Sequence, residues 1–171
     1  SWPLENPEVG PKAPDRAATA RVELPPFERA VMLVPTLADA VRSGLLSQQV
    51  ADQLASLSPD AVPVGCTEAG CGLALNTVGL KQLTDPDEVH AWRLYLNQGR
   101  AVRILLTALT VDYDLHVFGP DGLLSGEVVN DEPDDHVVEL EAPADGQFVV
   151  YVNSGRGDVS DQAYALAVLP L

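Results

Sequence analysis

Basic residues are scarce in this chain of 171 residues, and their scarcity argues against several classes of partner. Lys and Arg together number 10 against 25 Asp and Glu, which gives a formal net charge of −15. Duplex nucleic acids and anionic membrane surfaces are bound mainly through basic side chains, so neither is an expected partner. No apolar run reaches the length of a membrane span. The surplus of carboxylates favours cations as partners, or serves only to keep the chain soluble.

Aromatic residues are also few, at 5% of the chain, although apolar residues make up 46%. A core of this composition must consist mainly of Val, Leu, Ile and Ala. The length suits one domain, or one domain with a smaller appendage. The chain begins at Ser1 without a Met, which fits a processed mature protein or equally an expressed fragment.

Cysteine occurs only twice, at Cys66 and Cys71. In an oxidising compartment we expect these two residues to form a disulfide, because Gly65, Gly70 and Gly72 leave the backbone free to adopt the bridge geometry. A zinc site completed by histidine is the alternative, although the chain has no second Cys pair and no paired-His spacing. A redox motif is less favoured still, since the spacing is not Cys-x-x-Cys.

Proline is concentrated in residues 1–35, which contain seven of the 14 prolines. Each proline fixes φ and removes a backbone donor, so we predict an extended, partly polyproline-like arm in which no regular helix runs. Residues 20–24 and residues 30–34 could form short strands within this arm. The second stretch is strongly apolar and is expected to require burial.

Residues 36–57 change to a helical period. Thr36 is followed three residues later by Asp39, which is typical of a helix N-terminus, and Gly44 interrupts the pattern. After it, apolar residues recur at helical spacing: Leu46, Val50, Leu54 and Leu57. We predict one short helix, a bend at Gly44 and a second helix to about Leu57, both packed locally against a sheet. Residues 58–79 are predicted to be a loop.

From about Leu80 the apolar residues alternate with polar ones at the period of β-strands, and turns containing glycine separate the segments. Because no helical stretch lies between the strands, we predict an antiparallel sheet, with enough strands for a two-sheet sandwich. Residues 147–152 are apolar on both faces and are predicted to be central. The expected division is an arm at 1–35, a helical pair with the Cys-containing loop at 36–78, and a β-sandwich domain at 79–171.

Five segments of this second half resemble one family in their order and spacing. They are Asp85-Pro86-Asp87 before residues 90–94, then residues 96–100, 112–122, 141–152 and 164–168, of which 112–122 is the most specific. Between about Gly79 and Leu169 the chain resembles the bacterial pre-peptidase C-terminal domain. That resemblance implies a jelly-roll-like β-sandwich that acts as a non-catalytic accessory module of secreted proteins. Some relatives bind calcium or insoluble protein substrates.

Carboxylates are grouped at positions that suit calcium, which takes six to eight oxygen ligands. Asp112 and Asp114 are two residues apart on a predicted strand, so both side chains leave the same face. Asp85, Asp87 and Glu88 lie in a turn that contains proline. The resemblance implies that the two groups are adjacent, and together they form the predicted calcium site. The alternative is that they are separate, solvated turns.

The expected function is that of a non-catalytic, extracellular accessory or binding module that docks on a protein or polysaccharide surface. No histidine or serine lies in a recognised catalytic frame, so no catalytic residue and no enzymatic activity is predicted. Tyr95, Tyr113 and Tyr151 are the candidate contact residues, although each could instead belong to the core. The alternative function is a structural subunit of an extracellular filament or surface layer, in which the arm adds a strand to another copy.

Overall fold

The computed structural model describes residues 24–107, 110–129, 133 and 135–171, and within them two β-sheets are stacked face to face. Three short helices precede the sheets in this part of the chain: α1 (Pro26–Met32), α2 (Leu37–Arg42) and α3 (Gln48–Leu57). Ten strands follow: β1 (Val62–Val64), β2 (Gly72–Leu73), β3 (Thr77–Lys81), β4 (Val89–Leu96), β5 (Ala101–Thr107), β6 (Tyr113–Phe118), β7 (Leu124–Val128), β8 (His136–Glu141), β9 (Gly146–Ser154) and β10 (Tyr164–Pro170). The predicted mainly β sandwich is confirmed. No helix in these ranges is long and apolar enough to cross a bilayer.

Each sheet has five strands. Sheet one has the order β1-β3-β10-β5-β8 and sheet two the order β2-β4-β9-β6-β7, so the strand predicted to be central, β9, is indeed in the middle. Most neighbouring strands are antiparallel, but β1–β3 and β2–β4 are parallel pairs. The strands predicted from about residue 80 onward are antiparallel to one another, as expected, and both parallel pairs involve β1 or β2, which lie in the segment predicted to be a loop. After β1 the chain crosses to sheet two, forms β2 and returns to sheet one as β3, which makes parallel neighbours without a crossover helix.

The loop predicted for residues 58–79 is partly strand. It contains β1, β2 and the first residues of β3, so the sheets begin well before residue 79. These elements have two to five residues each, too few to show a period of two. Strand β7 is also absent from the sequence analysis, because its five residues are largely exposed and carry no alternation of buried and exposed side chains.

The space between the sheets is filled by aliphatic side chains and by four buried aromatic rings, those of Trp92, Tyr113, Phe148 and Tyr164. Gly79 in β3 makes room for the largest of them. A Cβ atom at position 79 would lie 2.7 Å from two carbons of the Trp92 indole, far inside van der Waals contact. The indole of sheet two therefore packs directly against the backbone of sheet one.

The predicted helical pair is confirmed. Thr36 caps α2 by accepting a hydrogen bond from Asp39 N at 3.0 Å, and Ser47 caps α3 in the same way through Val50 N. Gly44 separates the helices with φ of +77°, a conformation that favours glycine. The helices bury their apolar faces against the outer side of sheet one in a second cluster: Leu37, Ala40, Leu54, Val78, Leu80, Leu105, Ala165 and Ala167.

Helix α1 corrects the prediction for the end of the arm. Pro26 occupies the first turn, where no backbone donor is needed, so its neighbour Pro25 precedes a helix instead of an extended segment. Residues 30–34 accordingly do not form a strand, and Val31 and Val34 are buried among the helices and sheet one. The stretch that suggested strand addition to another copy is thus used within its own fold. Residues 1–23, including the predicted strand at 20–24, lie outside the described residues.

Candidate functional site

The outer face of sheet two carries an exposed aromatic residue on a regular strand. Along β4 the side chains of Trp92, Leu94 and Leu96 point into the sandwich, and Arg93 and Tyr95 point outward. Tyr95 is 62% exposed, and Gln147 of β9 is its cross-strand neighbour. We call Arg93, Tyr95 and Gln147 the docking patch. The alternation of Arg93 and Tyr95 with buried residues of β4 is visible in the sequence. Of the three patch residues, the sequence analysis predicted only Tyr95 as a contact residue.

The docking patch borders the loop that the two cysteines close. Arg93 N donates to Cys71 O at 2.8 Å, which pairs β2 with β4. The Arg93 guanidinium lies over Gly70, within 3.4 Å of where a Cβ atom would be. The patch and the cysteine loop therefore form one continuous surface.

Tyr113 and Tyr151 are not available for contact with a partner. Tyr113 is 1% exposed, and its hydroxyl accepts a hydrogen bond from Ser160 N at 2.9 Å. Burial raises the pKa of the Tyr113 hydroxyl. Tyr151 is 6% exposed and packs edge-to-face on Phe118, with ring centroids 5.6 Å apart. Of the three predicted contact residues, only Tyr95 lies on the surface.

Asp112 and Asp114 come together beside Gly155. Both residues are 7% exposed, and a Cβ atom at position 155 would lie 2.7 Å from Asp112 Oδ2 and 2.8 Å from Asp114 Oδ1. Gly155 N also donates to the Asp112 carbonyl at 3.2 Å. Only glycine fits between these carboxylates. The structure thus brings two of the five predicted metal ligands to one place.

The other three predicted ligands form a separate turn. Asp85 Oδ1 accepts from Asp87 N at 2.8 Å, and Glu88 Oε1 accepts from Thr84 N at 2.8 Å. Among the described residues, no group of three or more His, Cys, Asp or Glu lies close enough together to hold a metal ion. The turn and the Asp112–Asp114 pair instead flank the same loop, because a Cβ atom at position 157 would lie 3.9 Å from Pro86 Cβ and one at position 155 would meet both aspartates.

Cys66 and Cys71 form a disulfide, as predicted, and both thiols are thereby withdrawn from the zinc alternative. The Lys81 ammonium lies 3.3 Å from Cys66 Sγ and 3.7 Å from Cys71 Sγ. It also lies 3.3 Å from Glu28 Oε1, and Glu28 Oε2 accepts from Cys66 N at 3.0 Å. Neither Lys81 nor Glu28 was singled out from the sequence, since the disulfide, β3 and α1 meet only in the folded chain.

His90 belongs to a buried polar cluster that joins the two sheets. Its Nδ1 is 2.7 Å from the Tyr164 hydroxyl, which also accepts from Trp92 Nε1 at 2.9 Å. Burial, together with the nearby charge of Lys81, lowers the pKa of His90 to about 4. The ring is therefore neutral at physiological pH. Glu88 Oε2 lies 3.3 Å from His90 Nε2, so the cluster ties the Asp85–Glu88 turn to the core.

His116, Ser154 and Ser160 have structural partners here. Glu127 lies 2.9 Å from His116 Nδ1, and burial lowers the pKa of His116. Ser160 Oγ is 2.6 Å from Thr110 Oγ1, and Ser154 Oγ accepts from Gly157 N at 2.8 Å. These contacts hold loops and strand ends in place.

A cleft of about 610 Å³ opens where the helices meet the sandwich. Phe27, Leu45 and Val50 form its apolar side, and Gln82 and Asp161 contribute polar groups from the sheet side. The volume is in the range of small-molecule pockets. No sequence pattern predicts this cleft, because its walls come from five separate parts of the chain.

Comparison with known proteins gives similarities of fold. No protein-family profile matches the chain, and no curated protein matches it. Among solved structures, the pre-peptidase C-terminal domain of collagenase from Bacillus anthracis is 14% identical with a TM-score of 0.45, over 57% of this chain and 92% of that one. Aeromonas hydrophila PliG, a periplasmic lysozyme inhibitor of g-type lysozyme, is 14% identical with a TM-score of 0.41, over 62% and 93% of the two chains. The CUB1-EGF-CUB2 domain of human MASP-1/3 is 10% identical with a TM-score of 0.37, over 63% and 44%.

The first of these structures is a domain of the kind that the sequence resembles. At these identities and TM-scores, the similarities assign neither a partner nor an activity to this chain.

Proposed function

We propose that this chain is a non-catalytic binding module of the extracellular space that docks on a protein or polysaccharide surface through the docking patch. The observation that carries the proposal is the 62% exposure of Tyr95 beside Arg93 on a rigid strand. Tyr and Arg are enriched at protein interfaces, and an exposed tyrosine provides a large contact area with little loss of conformational entropy. The Cys66–Cys71 disulfide supports a location outside the reducing cytosol.

The position of the patch in sheet two favours recognition over packing. Helices α1–α3 pack against β3, β10 and β5 on the outer face of sheet one, and among the described residues no helix covers the Arg93–Tyr95 end of sheet two. Strand β4 is paired along its length with β9, so the patch is held by a ladder of backbone hydrogen bonds. A preformed, rigid contact surface loses little entropy when it binds.

Retention on insoluble material tests the docking function. The full chain is mixed with collagen, cellulose or chitin, and the sedimented fraction is measured for the wild type, Tyr95→Ala and Leu33→Ala. Leu33 is 80% exposed beside α1, on the other side of the sandwich, and serves as the matched control. We expect Tyr95→Ala to weaken binding by about 2 kcal/mol, or roughly thirtyfold, and Leu33→Ala to bind as the wild type does. Equal retention of Tyr95→Ala and Leu33→Ala would refute the role of the patch in binding.

We further propose that calcium stabilises this module at Asp112 and Asp114. Two nearly buried carboxylates that converge beside Gly155 support a hard cation, whose remaining ligands would be carbonyl and water oxygens. Millimolar calcium is then expected to raise the free energy of unfolding by about 1–3 kcal/mol, because it binds the folded state. Asp112→Asn and Asp114→Asn should abolish the rise, and Asp60→Asn, at an exposed position, should preserve it. A melting temperature of the wild type that does not respond to calcium would refute the site.

A further inference from the structure

The Cys66–Cys71 disulfide lies beside the ammonium of Lys81. A disulfide exchanges when a thiolate attacks one sulfur and the other sulfur leaves as a thiolate, so a cation beside the leaving sulfur favours the reaction. Lys81 Nζ lies 3.3 Å from Cys66 Sγ and 3.7 Å from Cys71 Sγ, with Cys66 the nearer. Lys81 is itself held in place by Glu28, at 3.3 Å.

The two sulfur-bearing residues differ in their access to solvent. Cys66 is 5% exposed and belongs to the core, and Cys71 is only partly buried. Although Cys71 also packs against the core, its greater exposure favours it as the site of attack by an incoming thiol, and the sulfur displaced would then be the buried one beside the lysine. The Arg93 guanidinium, which lies over Gly70, places a second positive charge beside the loop that the two cysteines close.

The surroundings of the disulfide do not depend on the sulfur–sulfur bond for their shape. Thr67 and Gly70 exchange two backbone hydrogen bonds of 2.8 and 3.0 Å, which close the loop independently. Cys66 N is held by Glu28 and Cys71 O by Arg93 N. Opening the bond would leave both cysteines anchored in place.

We propose that Cys66–Cys71 is an exchangeable disulfide that captures a thiol at Cys71 and releases Cys66 as a thiolate paired with Lys81. The incoming thiol first loses its proton to solvent, and its thiolate attacks Cys71 Sγ. A new bond forms between the incoming sulfur and Cys71, the Cys66–Cys71 bond breaks, and the electron pair remains on Cys66. The adduct would lie beside β4, where Arg93 N donates to Cys71 O, and its formation does not require the docking function.

Glu28 limits how strongly Lys81 stabilises the Cys66 thiolate, because the Glu28 carboxylate competes for the Lys81 ammonium. In the disulfide form the Lys81 charge is shared with the Glu28 carboxylate, and after exchange it is shared with the Cys66 thiolate as well. Removal of the carboxylate should speed exchange, and removal of the ammonium should slow it. A purely structural role for the Glu28–Lys81 pair would not produce rate changes of opposite sign.

Exchange with reduced glutathione under anaerobic conditions tests the proposal, with the adduct followed by intact mass and located by peptide mapping. We expect an adduct on Cys71, a rate at least about threefold lower for Lys81→Met, a rate near the wild type for Lys81→Arg, and a higher rate for Glu28→Gln. Arg103→Met removes a cation from the surface of sheet one and is the matched control.

A second experiment replaces glutathione with serum albumin, which carries a free thiol. Exchange with glutathione alone would identify a small thiol as the partner, and exchange with albumin as well would extend the reaction to protein thiols.

Three results would overturn the proposal: an adduct on Cys66, no exchange with either thiol, or a Lys81→Met rate equal to that of the wild type. If Lys81→Met does not fold, as judged by circular dichroism, the adduct position in the wild type and the rate of Glu28→Gln decide the question. A Glu28→Gln rate at or below that of the wild type would contradict the assigned role of Lys81.

Discussion

The two sheets of this sandwich have the same number of strands and different surroundings. In sheet one, β10 is buried on both faces, with Ala165 and Ala167 facing the helices and Leu166 and Val168 facing the other sheet. In sheet two, β4 alternates between buried residues and the exposed Arg93 and Tyr95. Strand β10, at the centre of sheet one, therefore has no face left for a partner, whereas β4 has one. This difference supports the proposal that a partner binds sheet two.

The helices beside sheet one are expected to be the most sensitive part of the molecule. Leu54 of α3 is fully buried against sheet one, so Leu54→Ala should lower the free energy of unfolding by about 2–5 kcal/mol in a urea titration. Leu33→Ala removes a leucine of the same size from an 80% exposed position and should change it by less than about 0.5 kcal/mol. If both substitutions had the same small effect, the helices would not be an integral layer of the fold.

Acid should weaken the connection between the sheets through His90. Its pKa is about 4 in the folded protein, below the ordinary value of 6.5, so the unfolded chain binds the proton more tightly. The stability that neutral His90 contributes is complete above pH 6.5 and is lost as the pH falls towards 4, to a total of about 3 kcal/mol. Urea titrations at pH 7 and pH 4.5 should show a smaller loss for His90→Gln than for the wild type.

Other groups titrate in the same direction, and a matched control separates them from His90. The pKa values of His116 and Glu88 are also lowered in the folded protein. Protonation of neutral His116 and of the Glu88 carboxylate therefore also lowers the free energy of unfolding as the pH falls. His116 lies on β6 beside Glu127, away from the contact between the sheets. His116→Gln should therefore retain most of the pH dependence. An identical loss in His90→Gln and the wild type would contradict the account of the buried cluster.

Disturbing the close contact between the sheets is expected to give the next largest loss of stability. Gly79→Ala would place a methyl group 2.7 Å from the Trp92 ring, so the indole or β3 must shift, at a cost of about 1–3 kcal/mol. Gly72→Ala is the control, because no atom lies within 4 Å of its Cβ position. Thermal unfolding of the two variants provides the measurement. A Gly79→Ala protein as stable as Gly72→Ala would show that the sheets are not so closely packed.

Helices and strands were predicted correctly where the sequence pattern extends over enough neighbouring residues. The caps at Thr36 and the break at Gly44 involve neighbours within a few residues, so the helical pair was predictable. Strand β4 has eight residues, and its alternation indicates that Arg93 and Tyr95 share the outer face. Strands β1 and β2 have only three and two residues and show no such period.

Contacts between distant segments could not be predicted from these signals. The five acidic residues have suitable spacing, but within the described part of the chain no three of them come close enough together to hold a metal ion. The burial of Tyr113 and Tyr151 depends on their partners Tyr164 and Phe118, which come from other strands. The Lys81 contact with the disulfide likewise joins β3 to a loop. Each of these is decided by tertiary packing and not by pattern.

Hydroxyl-radical footprinting of the full chain, free and bound to the insoluble material that retains it, tests the central claim most directly. Tyr95 on sheet two and Leu33 beside sheet one are both exposed and both react with the radical. The account predicts that Tyr95 is protected in the bound state and that Leu33 is labelled equally in both states. Protection of Leu33 with unchanged labelling of Tyr95 would contradict it, because the partner would then lie on the helical side of the molecule.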